Sequence, residues 1–221
     1  MKTPKLMTAF AAALAFGGIA LGGVATLSAQ DSPPQVPGTM DASRVTAGTY
    51  TVDPAHTLVG WRANHFGFND YLGLFGSIEG SLQLDPADVA SAKLEIMVPV
   101  GMVTVASEGL RDHLLRPGKD GAAPDFFGAD PAPARFVSTQ VLRTGDTTAD
   151  IMGDLTLNGV TRPVTIDAEF SGAGANPMNK KETVGFEGST TIKRSEFGIN
   201  YGLPLVSDEV ELDISAAFEK Q

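Results

Sequence analysis

Between residues 209 and 219 apolar and polar side chains alternate, with Ala217 the one exception. Val210, Leu212, Ile214, Ala216 and Phe218 are set against Glu209, Glu211, Asp213, Ser215 and Glu219. Successive side chains of a strand point to opposite faces, so this segment carries one greasy face and one acidic face. The same period recurs in Leu94, Ile96, Val98 and Val100, in Ile151, Gly153, Leu155 and Leu157, and in Val164, Ile166, Ala168 and Phe170. Further strands are expected at 50–53, 58–66, 72–84, 135–142 and 184–193, with Asn158-Gly159 as a hairpin turn. One short helix is expected over 107–115, capped by Ser107, with Leu110 and Leu114 on its apolar side and Pro117 just past its end. About eight or nine one-sided strands define an all-β chain. A sandwich would fill its interior from both sheets, whereas an up-and-down barrel of about eight strands can enclose a ligand; the period fits both.

No cysteine occurs among the 221 residues, which removes disulfides, thiolate metal sites and Cys nucleophiles from consideration. With 16 basic against 26 acidic side chains the net charge is −10, and no Lys/Arg stripe interrupts it, so a phosphate backbone or an anionic membrane surface is a poor partner. Lys2 and Lys5 precede an uncharged run from Leu6 to Leu27, the order of a secretory signal peptide over 1–29, with cleavage after Ala25 or Ala29. The alternative is a retained anchor, since such a run is long enough to span a bilayer. Residues 30–47, with Pro33, Pro34, Pro37 and Gly38, read as a flexible linker, and the folded domain is expected over 48–221. The implied location is periplasmic or secreted.

Several strings, taken in order, resemble one family. They are Tyr50 to Thr57 (YTVDPAHT), His65, Gly73-Leu74-Phe75-Gly76, Arg111-Asp112-His113-Leu114 and Asp125-Phe126-Phe127. Pro133 to Thr139, Gly153 to Pro163 and Lys193 to Ile199 complete the set. Together they resemble the YceI-like proteins, secreted bacterial lipocalin-like barrels. The resemblance implies an extended antiparallel barrel whose apolar interior binds a long isoprenoid lipid: a polyprenyl alcohol or phosphate, or a quinone tail. It also implies a role in transport or storage, frequent homodimers and no cofactor beyond the bound lipid. The chain departs from the pattern at Gly118 to Pro124, which lengthens the stretch after the helix.

A strand of about 12 residues, tilted as in a barrel, gives an interior of ~25 to 35 Å, close to the ~30 Å hydrocarbon thickness of a bilayer. Burying an isoprene unit from water is worth up to ~4 kcal/mol, whereas transfer from a membrane gains almost nothing, which suits a carrier that exchanges cargo transiently with membranes. Candidate lining residues are Leu94, Ile96, Val98 and Leu155 from the inward sets, with Trp61, Phe66, Phe75, Phe136, Phe170 and Phe186. Leu114 and Phe197 join them beside the helix and near the last strand. For each of these, plain core packing is the competing reading. Phe126 and Phe127 sit in a Pro/Gly-flanked loop and form either a lid over the mouth or a plug on the short helix.

The polar candidates are few. His56, in the turn after Asp53-Pro54, is expected to fix the barrel entrance or meet a ligand head. His113, Arg111 and Arg194 are candidates for the head group or rim, against ion pairs that close the barrel ends. His56 and His65 stand nine residues apart, an odd separation that places them on opposite faces of one strand, so no metal site is expected from the three histidines. No catalytic motif is present, and no nucleic-acid partner is expected. Two alternatives to a lipid-binding protein remain open: a lipid-modifying enzyme using His56 or His113, and a secreted sandwich with a solid core.

Overall fold

The computed structural model describes residues 35–221; the leader and residues 30–34 lie outside the described residues. Eleven strands and one helix follow in chain order: β1 (Gly48–Val52), β2 (Leu58–His65), β3 (Asn69–Phe75), β4 (Glu79–Leu84), β5 (Lys93–Val98), β6 (Thr104–Val105), α1 (Glu108–Leu114), β7 (Ala134–Arg143), β8 (Thr148–Leu157), β9 (Val160–Ala175), β10 (Glu182–Lys193) and β11 (Glu209–Lys220). Their ladder runs β1-β4-β5-β7-β8-β9-β10-β11 and returns to β1 through Tyr50↔Lys220, Thr51↔Glu219 and Val52↔Phe218. The chain is therefore an all-β protein built on a closed eight-stranded antiparallel barrel with one short helix. Closure removes the unpaired edges that an open sheet of this length would expose.

β11 is shared. Its end from Phe218 to Lys220 pairs with β1, while Glu211–Ser215 on the same edge pairs with β2, which carries β3 and β6 as a three-stranded branch. The segment expected as one strand over 72–84 breaks between β3 and β4, where Ser77 takes a positive φ of 53° and Ile78 turns fully inward. Apolar alternation does not register such a break, because Leu72, Leu74, Ile78 and Leu82 keep one even-numbered period across it, although Leu72 and Leu74 are exposed with Phe75 buried in their place, and only Ile78 and Leu82 are buried. At the β8–β9 turn Asn158 and Gly159 both have positive φ, 49° and 74°, the geometry a two-residue hairpin needs to match the strand twist. Ser107 caps α1, its hydroxyl accepting from the Leu110 amide at 3.2 Å.

Two apolar clusters form within the barrel. One gathers Tyr50, Val52, Ile78, Leu82, Val184 and Phe218 against β1 and β4. The other packs Leu114 of α1 on Phe75, Val103, Leu157, Phe197 and Ile199 at the helix end of the barrel.

Residues 36–47, expected as a linker, lie against the barrel. Thr39 exchanges two backbone hydrogen bonds with Ala173 of β9, at 3.1 and 2.8 Å. Asp41 caps a single 3-10 turn over Ala42–Arg44, and Val45 is buried. Proline and glycine content marks this segment as irregular but is silent on what it packs against.

Candidate ligand chamber

Inside the barrel, inward positions on β9 and β11 are only half-buried. Val164, Ile166 and Ala168, and Leu212, Ile214 and Ala216, alternate with exposed Thr165, Asp167, Glu169, Glu211, Asp213 and Ser215. β11 is paired with β10 throughout and with β2 over Glu211–Ser215, while β9 is paired with β8 over this stretch and with β10 from Asp167 onward; all six inner residues border one apolar chamber, so their remaining exposure is to the interior. A solid core would have buried them completely. They border a chamber of about 310 Å³ whose wall also includes Leu82, Leu94, Ile96, Val98, Phe136, Ile151, Leu155, Phe170 and Phe186. Along β9 the wall runs from Val164 to Phe170, a rise of ~20 Å, shorter than the strand lengths suggest because the helix-end cluster fills one end.

The polar side chains inside the barrel are already engaged. Thr57 is buried, its hydroxyl donating to Ala217 O at 3.2 Å and accepting from Ala217 N at 3.1 Å. Thr190 donates to Thr165 O at 2.7 Å. Both line the chamber with their hydroxyl protons spent on backbone carbonyls.

Free polarity gathers instead at the mouth, where the β7–β8 hairpin contributes Arg143, Asp146, Thr147 and Thr148 opposite Pro86, Val89 and Ala92 of the β4–β5 loop. The Arg143 guanidinium is braced by Gly145 O at 2.7 Å and Asp146 O at 3.2 Å, with the Asp146 carboxylate 3.6 Å away. Ala42 and Val45 of the N-terminal segment complete this rim.

Of the expected lining residues, Leu94, Ile96, Val98, Leu155, Phe136, Phe170 and Phe186 border the chamber. Phe75, Leu114 and Phe197 are buried in the helix-end cluster, with Phe126 and Phe127 half-buried against it. Phe127 meets Phe75 edge-on at 6.0 Å, and its amide donates to Leu114 O at 3.0 Å; Phe126 packs on His113 and Tyr201. That arrangement is a plug at the end away from the mouth. Trp61 lies across Gly73 of β3, where any β-carbon would collide with the indole, and its buried Nε1 has no partner among the described residues. Phe66 is half-exposed at the β2–β3 turn.

The expected head-group residues stand elsewhere. Arg194 is buried, its guanidinium donating to four carbonyls: Ser207 at 2.8 Å, Ile199 at 3.1 Å, Tyr201 at 2.8 Å and Val206 at 2.9 Å. Burial pulls its pKa below the ordinary value, against the opposing charge of Asp208. His113 shares Asp125 with Arg116, at 2.9 and 2.6 Å, and these bonds, Arg116 first, hold the Asp125 carboxyl below its usual range. Arg111 is exposed on α1. The exposed His56 ring sits 2.6 Å from Asp53. Burial works against that carboxylate, but the bonds from His56 and the Ala55 amide outweigh it and lower its pKa. Sequence reasoning missed Arg143, Ala42 and Val45; a strand ending in Arg143 before Gly145-Asp146 was the one available signal for a charged rim.

A closed barrel with an apolar chamber, plugged at one end and polar at the other, defines a ligand-enclosing β-barrel protein. The YceI-like domain model matches residues 50–218, and the chain belongs to that family. A UPF0312 protein of Pseudomonas putida is 35% identical over 185 residues, covering 82% of this chain and 92% of the relative. One from Pseudomonas aeruginosa is 37% identical over 177 residues, covering 79% and 88%. Among solved structures, BcnA of Burkholderia cenocepacia shares the fold at TM-score 0.63 and 24% identity, covering 75% of this chain and 98% of its own. A domain from Saccharophagus degradans, described as polyisoprenoid binding, superposes at TM-score 0.55 and 13% identity, covering 78% and 98%.

Proposed function

We propose that the chain is an exported binding protein that holds a long isoprenoid chain inside the barrel and exchanges it with membranes, without chemistry on the cargo. The half-buried inner faces of β9 and β11 carry this reading, because they leave apolar surface facing enclosed space. A hydrocarbon tail covers such surface at ~25 cal/mol per Å², and the satisfied hydroxyls of Thr57 and Thr190 ask for no polar partner. The braced Arg143 and the hydroxyls of Thr147 and Thr148 support a head group held at the mouth. The name of the Saccharophagus degradans domain supports the same ligand class, and the sequence of the leader supports export. For the lipid-modifying alternative, the geometry offers little: His56 is exposed on a turn and His113 lies in the plug, and neither borders the chamber.

Organic extraction of the protein purified from its native host, followed by mass spectrometry, is expected to release a polyprenyl or quinone species in stoichiometric amount. A protein that emerges empty, and that takes up no isoprenoid from vesicles, refutes the reading.

A further inference from the structure

The N-terminal segment from Val36 to Val45 crosses the rim of the chamber, and its inward residues Ala42 and Val45 are part of the wall. It is braced within itself. Asp41 accepts from the Ser43 amide at 3.0 Å, and Arg44 reaches back to Pro37 O at 3.0 Å and Thr39 Oγ1 at 2.7 Å. Its attachments to the barrel are sparse by comparison. They comprise the bond pair between Thr39 and Ala173 and the one buried side chain, Val45; beyond them the chain is anchored at Thr46, whose amide and hydroxyl donate to Glu182 at 2.8 and 2.7 Å and whose carbonyl and hydroxyl accept from Tyr50 and Lys220. Every residue from 36 to 44 is exposed.

Opening the wall anywhere else means parting strands of the closed barrel that are hydrogen-bonded along most of their length, such as β8 from β9 or β10 from β11. Local openings follow the least stable contiguous unit, and a braced strap on a few bonds is that unit. We propose that residues 36–45 are the gate of the chamber: the strap lifts off β9 as one body to let cargo pass between the β4–β5 loop and the β7–β8 hairpin. This rests on the reading that the chamber holds an isoprenoid.

Two variants act on the strap in opposite senses, one displacing and one locking it, at positions outside the chamber wall. A β-carbon on Gly174 would collide with the Pro37 carbonyl, so Gly174→Ala pushes the strap off its seat. Thr39 and Ala173 form a doubly bonded antiparallel pair, with Cα atoms at the ~5.5 Å such pairs adopt, inside the range a disulfide bridges. In a chain with no other cysteine, the double variant Thr39→Cys/Ala173→Cys therefore locks the strap reversibly.

The probe is all-trans-retinol, a fluorescent isoprenoid alcohol, loaded into each protein and chased into excess phosphatidylcholine vesicles in a stopped-flow instrument. Circular dichroism confirms that each variant is folded. Oxidation of the double variant is expected to slow retinol exit by about tenfold or more and dithiothreitol to restore it, while Gly174→Ala speeds exit by about tenfold, the effect of weakening a bond or two. Equal exit rates in wild type, locked and displaced proteins overturn the gate while leaving the binding reading intact. A wild-type protein that takes up no retinol overturns that reading, and the gate with it.

Discussion

Arg194 illustrates how one residue can look functional and serve the fold. Its five donors are nearly exhausted by four carbonyls of the loop between β10 and β11, a loop too irregular to satisfy those carbonyls within its own backbone. Lysine keeps the charge but loses the planar fork, so Arg194→Lys should cost about 3 kcal/mol by leaving buried carbonyls unpaired. Urea unfolding should show this as a lower midpoint, with isoprenoid stoichiometry unchanged in the protein that remains folded. Leu155→Arg tests the opposite case. Leu155 borders the chamber from β8, so a charge there should abolish lipid retention, read by extraction and mass spectrometry. Retention of both fold and lipid would mean that the inner face has been assigned wrongly. From sequence both residues were visible, yet only Leu155 could be placed, because alternation gives a strand residue its face. The partners of Arg194 are carbonyls up to thirteen positions away whose direction depends on the path of the loop.

At the scale of elements, β8 to β11 were legible because each is long, one-sided and paired with its sequence neighbour, so local period and tertiary role agree. The corner at Ser77 and the strap were not. The strap is seated by Ala173 and Glu182, residues more than 130 positions distant, and no periodic signal encodes such a contact. Glu182 also ties the start of β10 to β1, with Tyr50 Oη 2.5 Å from its Oε1 and Lys220 at 3.8 Å. Burial raises the Glu182 pKa, but the bonds from Thr46 and Tyr50 and the charge of Lys220 outweigh it and leave the net value lowered. A depressed folded value means that its stabilisation is complete above the unfolded-state pKa of about 4.3 and is lost as pH falls through the lower folded value. Thermal melts should therefore show an acid limb in that window, and Glu182→Gln should flatten it while lowering stability at neutral pH. The Tyr50 phenol, pushed up to about 12 by burial and by the Glu182 carboxylate, has the opposite sign. Its contribution is complete below about 10 and is lost as pH rises through the folded value.

For the whole molecule the inside and outside of the barrel pull in different directions. The apolar period that builds the chamber puts a polar residue at every other position, and here many of those residues are acids. Register then stacks them: Asp150 faces Asp167 and Glu169 faces Glu187 across neighbouring strands. Like charges directly opposite in an antiparallel pair destabilise it by a few tenths of a kcal/mol or more, and none of these four forms an ion pair among the described residues. The ion pairs that do exist involve mostly surface groups, which contribute little. Screening should then relieve more repulsion than it removes attraction. Raising sodium chloride to about 1 M, where the Debye length falls to ~3 Å, should raise the melting temperature. Asp167→Asn should raise it at low salt and reduce the salt response. A melting temperature that falls with salt would show that the surface ion pairs outweigh the stacked carboxylates. An acidic outer wall of this kind carries a net charge far from zero, which opposes non-specific association at the cost of this repulsion.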